Sequence, residues 1–188
     1  MLSLLSRVYT ELSDWQSVLK LLPSLRQHAS NQAELDSLEQ FACKSLLEKA
    51  ASESAQALQQ CWKQIPAPAS KRPLIIAYYA QQLIACGEGA SAEMVLRHQL
   101  QKMYDSQLCE IYGRAVSDQP DKQLAFAEKL LKSNPDDGVL LKTLARLSLR
   151  VALPEKAKDY YQQCIAVGQD REAFTSWRHC MQSRATSN

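Results

Sequence analysis

The sequence predicts an all-α protein built from short antiparallel helix pairs. Apolar residues recur at helical spacing along nearly the whole chain, and no convincing alternating strand pattern interrupts them. The 188 residues include only five glycines, although tight hairpin turns and phosphate-binding loops depend on glycine. Short polar or proline-containing segments break the apolar pattern repeatedly. We therefore expect helices at about 2–12, 15–28, 32–49, 53–65, 73–86, 89–102, 105–115, 120–133, 137–151, 154–167 and 170–182.

Local signals predict where the first helices begin and end. The pair Ser13-Asp14 is expected to cap the helix that opens at Trp15. Ser52 is expected to cap the helix near residue 53, with an acidic residue in its first turn. Pro66 and Pro68 are expected to end that helix, since proline removes a backbone donor.

The later helices carry similar signals. Pro73 and Pro154 are expected near helix starts, where a missing N–H has little cost. The segment Asn134-Pro135-Asp136-Asp137 predicts a turn followed by capping carboxylates. Each boundary thus separates two amphipathic helices.

Three segments repeat a pattern of small and bulky residues that is typical of tetratricopeptide repeats. In each segment a small second-helix residue follows the first apolar residue by 16 positions: Leu2 and Val18, Ile76 and Ala92, Leu141 and Ala157. At about 34 residues per repeat, the chain holds about 5.5 repeats. We expect one repeat domain over residues 1–188, a tetratricopeptide-like α-α superhelix (solenoid) of about five helix pairs plus a terminal capping helix. The spacing between the three segments is uneven, so another helix-pair solenoid or an irregular bundle is the alternative.

Composition and motifs argue against several function classes. Twenty-two basic and twenty acidic residues give a net charge of +2, which does not suggest a nucleic-acid binder. The six cysteines form no CxxC pair and are expected to be reduced, buried residues. His28, His98 and His179 stand far apart, so no metal site is expected. Without a nucleophile constellation or a phosphate loop, we expect no enzyme activity.

A cationic stripe is the strongest candidate for a binding surface. Lys142, Arg146 and Arg150 follow one another at helical spacing on the helix at 137–151, and we predict that they face a groove and hold an anion. Residues at similar positions on earlier helices complete the candidate surface: Tyr112, Arg114 and Arg7. The alternative is a solvated basic face near a helix C-terminus, where the dipole favours cations.

Four segments, in this order, resemble HemY-type proteins, the tetratricopeptide proteins associated with heme biosynthesis in Gram-negative proteobacteria. The resemblance covers essentially the whole chain. The segments are Asp14-Trp15-x-x-Val18-Leu19-x-Leu21-Leu22-Pro23-x-Leu25, Cys61-Trp62-Lys63-Gln64-Ile65-Pro66, Ile111-Tyr112-Gly113-Arg114 and Asn134-Pro135-Asp136-Asp137.

The resemblance implies a non-catalytic scaffold in a late step of protoheme biosynthesis, which binds late heme-biosynthesis enzymes or porphyrin intermediates. It requires no cofactor, and heme or a porphyrin is allowed as a ligand. It also implies a parent protein in the bacterial inner membrane, of which this chain is expected to be a soluble fragment without the N-terminal anchor. Two alternatives stay open: a heme carrier with an axial His, Cys or Tyr ligand, and a peptide-binding repeat module unrelated to heme.

Overall fold

The computed structural model describes Glu11 and residues 14–28 and 31–168, and within these ranges the chain is helical and has no strand. The all-α prediction is therefore confirmed for this part of the chain. The helices are α1 (Trp15–His28), α2 (Gln32–Glu53), α3 (Ala55–Gln64), α4 (Ala67–Ser70), α5 (Pro73–Ala85), α6 (Gly89–Lys102), α7 (Ser106–Arg114), α8 (Pro120–Leu131), α9 (Gly138–Arg150) and α10 (Pro154–Ala166).

The chain divides into two compact units, Met1–Ala92 and Glu93–Asn188, and the boundary falls within α6. The expected single repeat domain and its tetratricopeptide arrangement remain predictions. The predicted helices at 2–12 and 170–182 lie outside the described residues.

The junction between α2 and α3 differs from the prediction. Helix α2 continues to Glu53, and Ser54 caps α3 by accepting a hydrogen bond from the Ala57 N–H at 3.0 Å. The predicted cap, Ser52, instead lies in the last turn of α2 and donates its hydroxyl to the Lys49 carbonyl at 2.7 Å. The cap falls at Ser54 because its extended backbone, at φ −172°, is where the helix path breaks.

A second difference follows α3, where the sequence predicted only a break. Ala67–Ser70 form the single turn of α4, closed by a bond from the Ser70 N–H to the Pro66 carbonyl at 3.0 Å. Pro68 stands in the first turn of this helix, where its missing N–H leaves no bond unmade. Proline therefore ends one helix here and opens the next.

In the first unit, α2 packs against α1, α3 and α5. Two arginines and two carboxylates connect α1, α2 and the start of α5. The Arg26 guanidinium lies 2.7 Å from Asp36 and 3.2 Å from Glu39. The Arg72 guanidinium lies 2.8 Å from the same Asp36 oxygen and 3.1 Å from Glu39. Because Glu39 is buried and both arginines are mostly covered, this cluster holds α1 and the start of α5 against α2.

Tryptophan serves as packing in the first unit. Trp62 stacks on Tyr79 with ring centroids 4.1 Å apart, which joins α3 to α5. Trp15 meets the edge of Phe41 at 5.0 Å and joins α1 to α2. Both rings therefore have a packing role in this unit, and Trp177 lies outside the described residues.

In the second unit, α9 packs against α7, α8 and α10. Four leucines of α9 are buried: Leu140, Leu141, Leu144 and Leu147. Asp137 caps this helix through bonds from the Val139 and Leu140 N–H groups at 2.8 and 3.1 Å. The predicted role of this carboxylate is thereby confirmed.

Two turns share one backbone pattern. After α5, the Gly87 and Glu88 N–H groups donate to the carbonyls of residues 84 and 83 at 3.1 and 2.8 Å. After α9, the Ala152 and Leu153 N–H groups donate to the carbonyls of residues 149 and 148 at 3.1 and 2.9 Å. Gly87 and Ala152 both have left-handed backbone, at φ 81° and 58°. The offset of 65 residues (152 − 87) equals that between Ala92 and Ala157, the small second-helix residues of two predicted repeats (157 − 92).

Candidate functional site

Tyr112 anchors the centre of the second unit. Helix α7 begins where Asp105 accepts a bond from the Leu108 N–H at 2.9 Å, and this start directs Tyr112 into the core. The Tyr112 hydroxyl donates to Glu93 at 2.7 Å, and Glu93 also pairs with Arg97 at 2.6 Å. Burial, reinforced by the bond to the Glu93 carboxylate, raises the pKa of Tyr112 well above its usual range. The hydroxyl is therefore a permanent donor in a structural network.

Arg150 closes the C-terminal end of α7. Its Nη1 donates to the Ala115 carbonyl at 2.6 Å and its Nη2 to the Gly113 carbonyl at 3.3 Å. The last carbonyls of a helix lack intrahelical partners and carry partial negative charge, so a guanidinium is well suited to satisfy them. The candidate binding residue Arg150 thus has a structural role as well.

Gln123 is a buried residue that the sequence interpretation missed. Its amide nitrogen donates to the carbonyls of Tyr112 and Ala115 at 2.8 and 3.0 Å, and its oxygen accepts from Arg150 at 3.4 Å. The signal was a polar residue on the apolar face of α8, beside the buried Leu124. A buried amide of this kind must be satisfied, so it marks a structural network.

The remaining candidates are spread over the second unit. Arg114 is exposed on α7 and pairs with Glu110 one turn before it. Lys142 and Arg146 lie on α9, partly buried, on the same helical stripe as Arg150. Arg7 lies outside the described residues. The structure therefore places Tyr112 and Arg150 at the same end of α7 and leaves Arg114 on the surface. Lys142, Arg146 and Arg150 lie on one face of α9.

Arg146 differs from the other members of the stripe. Its Nη1 atom is shielded from solvent and has no hydrogen-bond partner in the described part of the chain. Lys142 is engaged in an interaction with another group. Burial, with the charge of Arg146 as the second cause, lowers the pKa of Arg150. The two guanidiniums are thus close enough to repel each other.

The thiols and imidazoles offer little reactive chemistry. Burial raises the pKa of Cys43 and of Cys109 to about 12, and it also raises the pKa of Cys61. These thiols therefore stay protonated, whereas nucleophiles and metal ligands need thiolate. His98 is exposed on α6, and residues 14–28 and 31–168 contain no group of three or more His, Cys, Asp or Glu side chains able to hold a metal. The side chain of His28 and all of His179 lie outside the described residues.

The first unit contains two adjoining cavities that the sequence did not indicate. They have volumes of about 490 and 370 Å³ and lie between α1, α2 and α3. Both are lined by Gln16, Leu46, Cys61 and Gln64. The Gln16 side-chain amide donates to the side-chain oxygen of Gln64 and so links α1 to α3 across this space. Asp14, Lys49 and Glu53 line the larger cavity, so its wall carries charges of both signs.

Comparison with known proteins shows that the chain has distant sequence relatives. No family model matches the chain. Protein HemY of Escherichia coli strain K12 is 24% identical over 184 residues, which cover 90% of this chain and 46% of HemY. Protein HemY of Shigella flexneri shows the same identity over the same coverage. The chain resembles HemY over most of its length.

This similarity is distant, and it agrees with the HemY-type resemblance predicted from four sequence segments. The chain spans about half the length of the curated relatives it matches. Between residues 14 and 168, no described helix combines the length and the apolar character that a bilayer crossing requires.

The structure explains why parts of the HemY-like segments are present. In Ile111-Tyr112-Gly113-Arg114, the tyrosine bonds Glu93 and the glycine carbonyl accepts from Arg150. In Asn134-Pro135-Asp136-Asp137, the final aspartate caps α9. These residues form the framework of the second unit, which also carries the cationic stripe of α9.

Proposed function

We propose that this chain is a non-catalytic scaffold in a late step of protoheme biosynthesis, which binds partner enzymes or porphyrin intermediates. The observation that carries this proposal is the similarity to HemY over 90% of the chain. The four HemY-like segments, found in the same order, link that similarity to the heme pathway. The parent protein is proposed to work at the bacterial inner membrane.

The geometry favours binding over catalysis. Catalytic sites depend on groups whose pKa values are shifted towards the working pH. Here burial moves the pKa of Tyr112 and of Cys109 away from neutrality. The shifted carboxylate of Asp137 is used to cap a helix. These groups are committed to the fold, whereas Arg146 retains a donor that no described residue uses.

The proposed contact surface consists of the cations on and near α9. Arg146 and Arg150 supply positive charge and Lys142 continues the same stripe, whereas Arg114 is paired with Glu110 and Arg7 lies outside the described residues. Tyr112 is buried, so it supports this surface by fixing α7 and does not itself reach the surface. Enzyme surfaces and porphyrin propionates both offer carboxylates, which guanidinium groups bind well.

Affinity capture of the natural full-length protein from its own cells tests this role. We expect late heme-biosynthesis enzymes or porphyrin pigments to co-purify, with the affinity tag alone as the control. Recovery of chaperones or secretion proteins without these enzymes or pigments would contradict the proposal and favour a peptide-binding module.

A hemin titration addresses the heme-carrier alternative. We expect no sharp Soret band of the kind that an axial His, Cys or Tyr ligand produces. A sharp band that disappears in His98→Ala would replace the scaffold role with direct heme ligation, since His98 is exposed on α6.

A further inference from the structure

Arg146 carries a donor that the fold does not use. Its Nη1 atom is inaccessible to solvent and has no hydrogen-bond partner among the described residues. A guanidinium has five N–H donors, and a polar atom that is shielded from water without a partner is unfavourable. The side chain as a whole is partly exposed, so part of it can be reached from the solvent.

Arg150, one turn further along α9, adds a second positive charge without a carboxylate. Its hydrogen bonds go to the main-chain oxygens of Gly113 and Ala115 and to the amide oxygen of Gln123. None of these acceptors carries a full negative charge. The positive charge of Arg150 is therefore not neutralised by these bonds. Because it lies close to Arg146, a bound anion would offset the repulsion between the two guanidinium groups.

The other arginines of the described residues behave differently. Arg26 and Arg72 pair with Asp36 and Glu39 in the first unit. Arg97 pairs with Glu93, and Arg114 pairs with Glu110. Arg146 and Arg150 are therefore the two described arginines without a carboxylate partner. Arginine without a counter-ion, on a partly buried helix face, is chemically suited to bind an external anion.

We propose that Arg146 and Arg150 form a carboxylate-binding site, in which Arg146 contacts the ligand and Arg150 positions α7 and adds positive charge. The inference rests on the proposed scaffold function and specifies its ligand chemistry. The planar fork of a guanidinium matches the two oxygens of a carboxylate. The carboxylate comes from a porphyrin propionate or from an acidic side chain of a protein, and the test separates these sources.

The first arm uses the 188-residue chain and protoporphyrin IX, with its dimethyl ester as the probe that lacks free carboxylates. We expect Arg146→Gln to weaken binding of the free acid about tenfold, the effect of losing one charge-assisted hydrogen bond. The ester is expected to bind the wild type and Arg146→Gln equally. The second arm replaces the porphyrin with a labelled hexaglutamate peptide and uses hexaglutamine as its control.

Arg114→Gln is the matched control, because Arg114 is an exposed arginine of the same unit with its own partner. Arg146→Lys keeps the charge but removes the fork, and we expect it to bind with intermediate affinity. Circular dichroism and the melting temperature of each variant confirm that the helices are intact. Tenfold weakening by Arg146→Gln, confined to one probe, supports the site and identifies the source of the carboxylate.

Equal affinity of the wild type and Arg146→Gln for both carboxylate probes would overturn the site. An equal loss in Arg114→Gln would also overturn it, because general electrostatic attraction would then explain the binding. If neither probe binds through Arg146 while heme enzymes still co-purify with the full-length protein, the carboxylate site is wrong and the proposed scaffold role is kept. If the probes bind through Arg146 but no heme enzyme or pigment co-purifies, the carboxylate site is kept and the proposed scaffold role is wrong.

Discussion

Gly113 and Thr143 approach so closely that a Cβ atom on Gly113 would lie 2.8 Å from the Cγ2 atom of Thr143. This contact brings α7 against α9 at the position where the Gly113 carbonyl also accepts a bond from Arg150. Thr143 strengthens the contact by donating its hydroxyl to the Cys109 carbonyl at 3.2 Å. The glycine of the Tyr-Gly-Arg segment is therefore required by packing.

Gly113→Ala is expected to destabilise the chain by about 1–3 kcal/mol, because the added methyl group overpacks a buried contact. Urea unfolding followed by circular dichroism measures the effect. Thr143→Ser removes Cγ2 and keeps the hydroxyl, so Gly113→Ala should have a smaller effect in that background. The steric explanation is wrong if the two substitutions are simply additive.

Tyr112→Phe is expected to cost about 1–2 kcal/mol of unfolding free energy, because the variant loses the hydrogen bond to Glu93 and leaves a buried carboxylate less satisfied. The ring keeps its edge contact with Phe126, at 5.5 Å between centroids, so packing is preserved. Tyr78→Phe is the matched control, since Tyr78 is partly exposed. Similar losses in both variants would argue against the network.

Glu39→Gln is expected to cost about 1–3 kcal/mol, because it leaves Arg26 and Arg72 with one shared carboxylate, Asp36. The partial exposure of both arginines keeps the loss below that of a fully buried ion pair. Glu48→Gln breaks an exposed pair with Lys44 and is expected to change stability by less than about 0.5 kcal/mol. Chemical unfolding of the two variants in parallel compares their losses of unfolding free energy. Equal losses would show that Glu39 contributes no more than an exposed surface charge.

Asp137 makes stability depend on pH. Burial raises the pKa of its carboxyl group, but hydrogen bonds from Ser106, Tyr104 and two backbone N–H groups together outweigh burial and hold that pKa below its usual range. A lowered folded-state pKa stabilises the fold above the unfolded value of about 3.9, and this contribution is lost as the pH falls through the folded-state pKa.

Asp137→Asn keeps a capping oxygen but removes the charge. We expect this variant to be less stable than the wild type at pH 7, with a difference that shrinks as the pH falls below about 4. Asp136→Asn, at an exposed neighbouring position, is the control. Unfolding midpoints in urea at pH 7, 5 and 3 give the comparison. A difference for Asp137→Asn that stays constant with pH would contradict the assignment.

The paired turns predict substitutions of opposite sign. Ala152→Gly is expected to stabilise the chain by about 0.5–1 kcal/mol, because it relieves a left-handed alanine. Gly87→Ala is expected to destabilise by a similar amount, since no atom lies within 4 Å of the added Cβ and only the backbone is strained. Thermal unfolding of both variants measures the signs. Two shifts in the same direction would show that the turns are not equivalent.

Features with local signals could be predicted from the sequence. The buried leucines of α9 follow from helical spacing, and Asp14 and Asp137 follow from capping chemistry. The cap at Ser54 was missed because two serines stand within three residues, and the backbone path decides between them.

The roles at the candidate site depend on distant partners. Arg150 bonds residues 27 to 37 positions earlier in the chain, and helical periodicity carries no information about such contacts. Periodicity correctly placed Lys142, Arg146 and Arg150 on one stripe of α9. It could not show that Arg150 closes α7 while Arg146 keeps an unused donor.

The turns at Gly87 and Ala152 follow the same chain path with different residues. Many helices end in this left-handed corner, usually with glycine, and here alanine adopts the same path. A rule that requires glycine to mark the end of a helix would therefore miss the corner at Ala152.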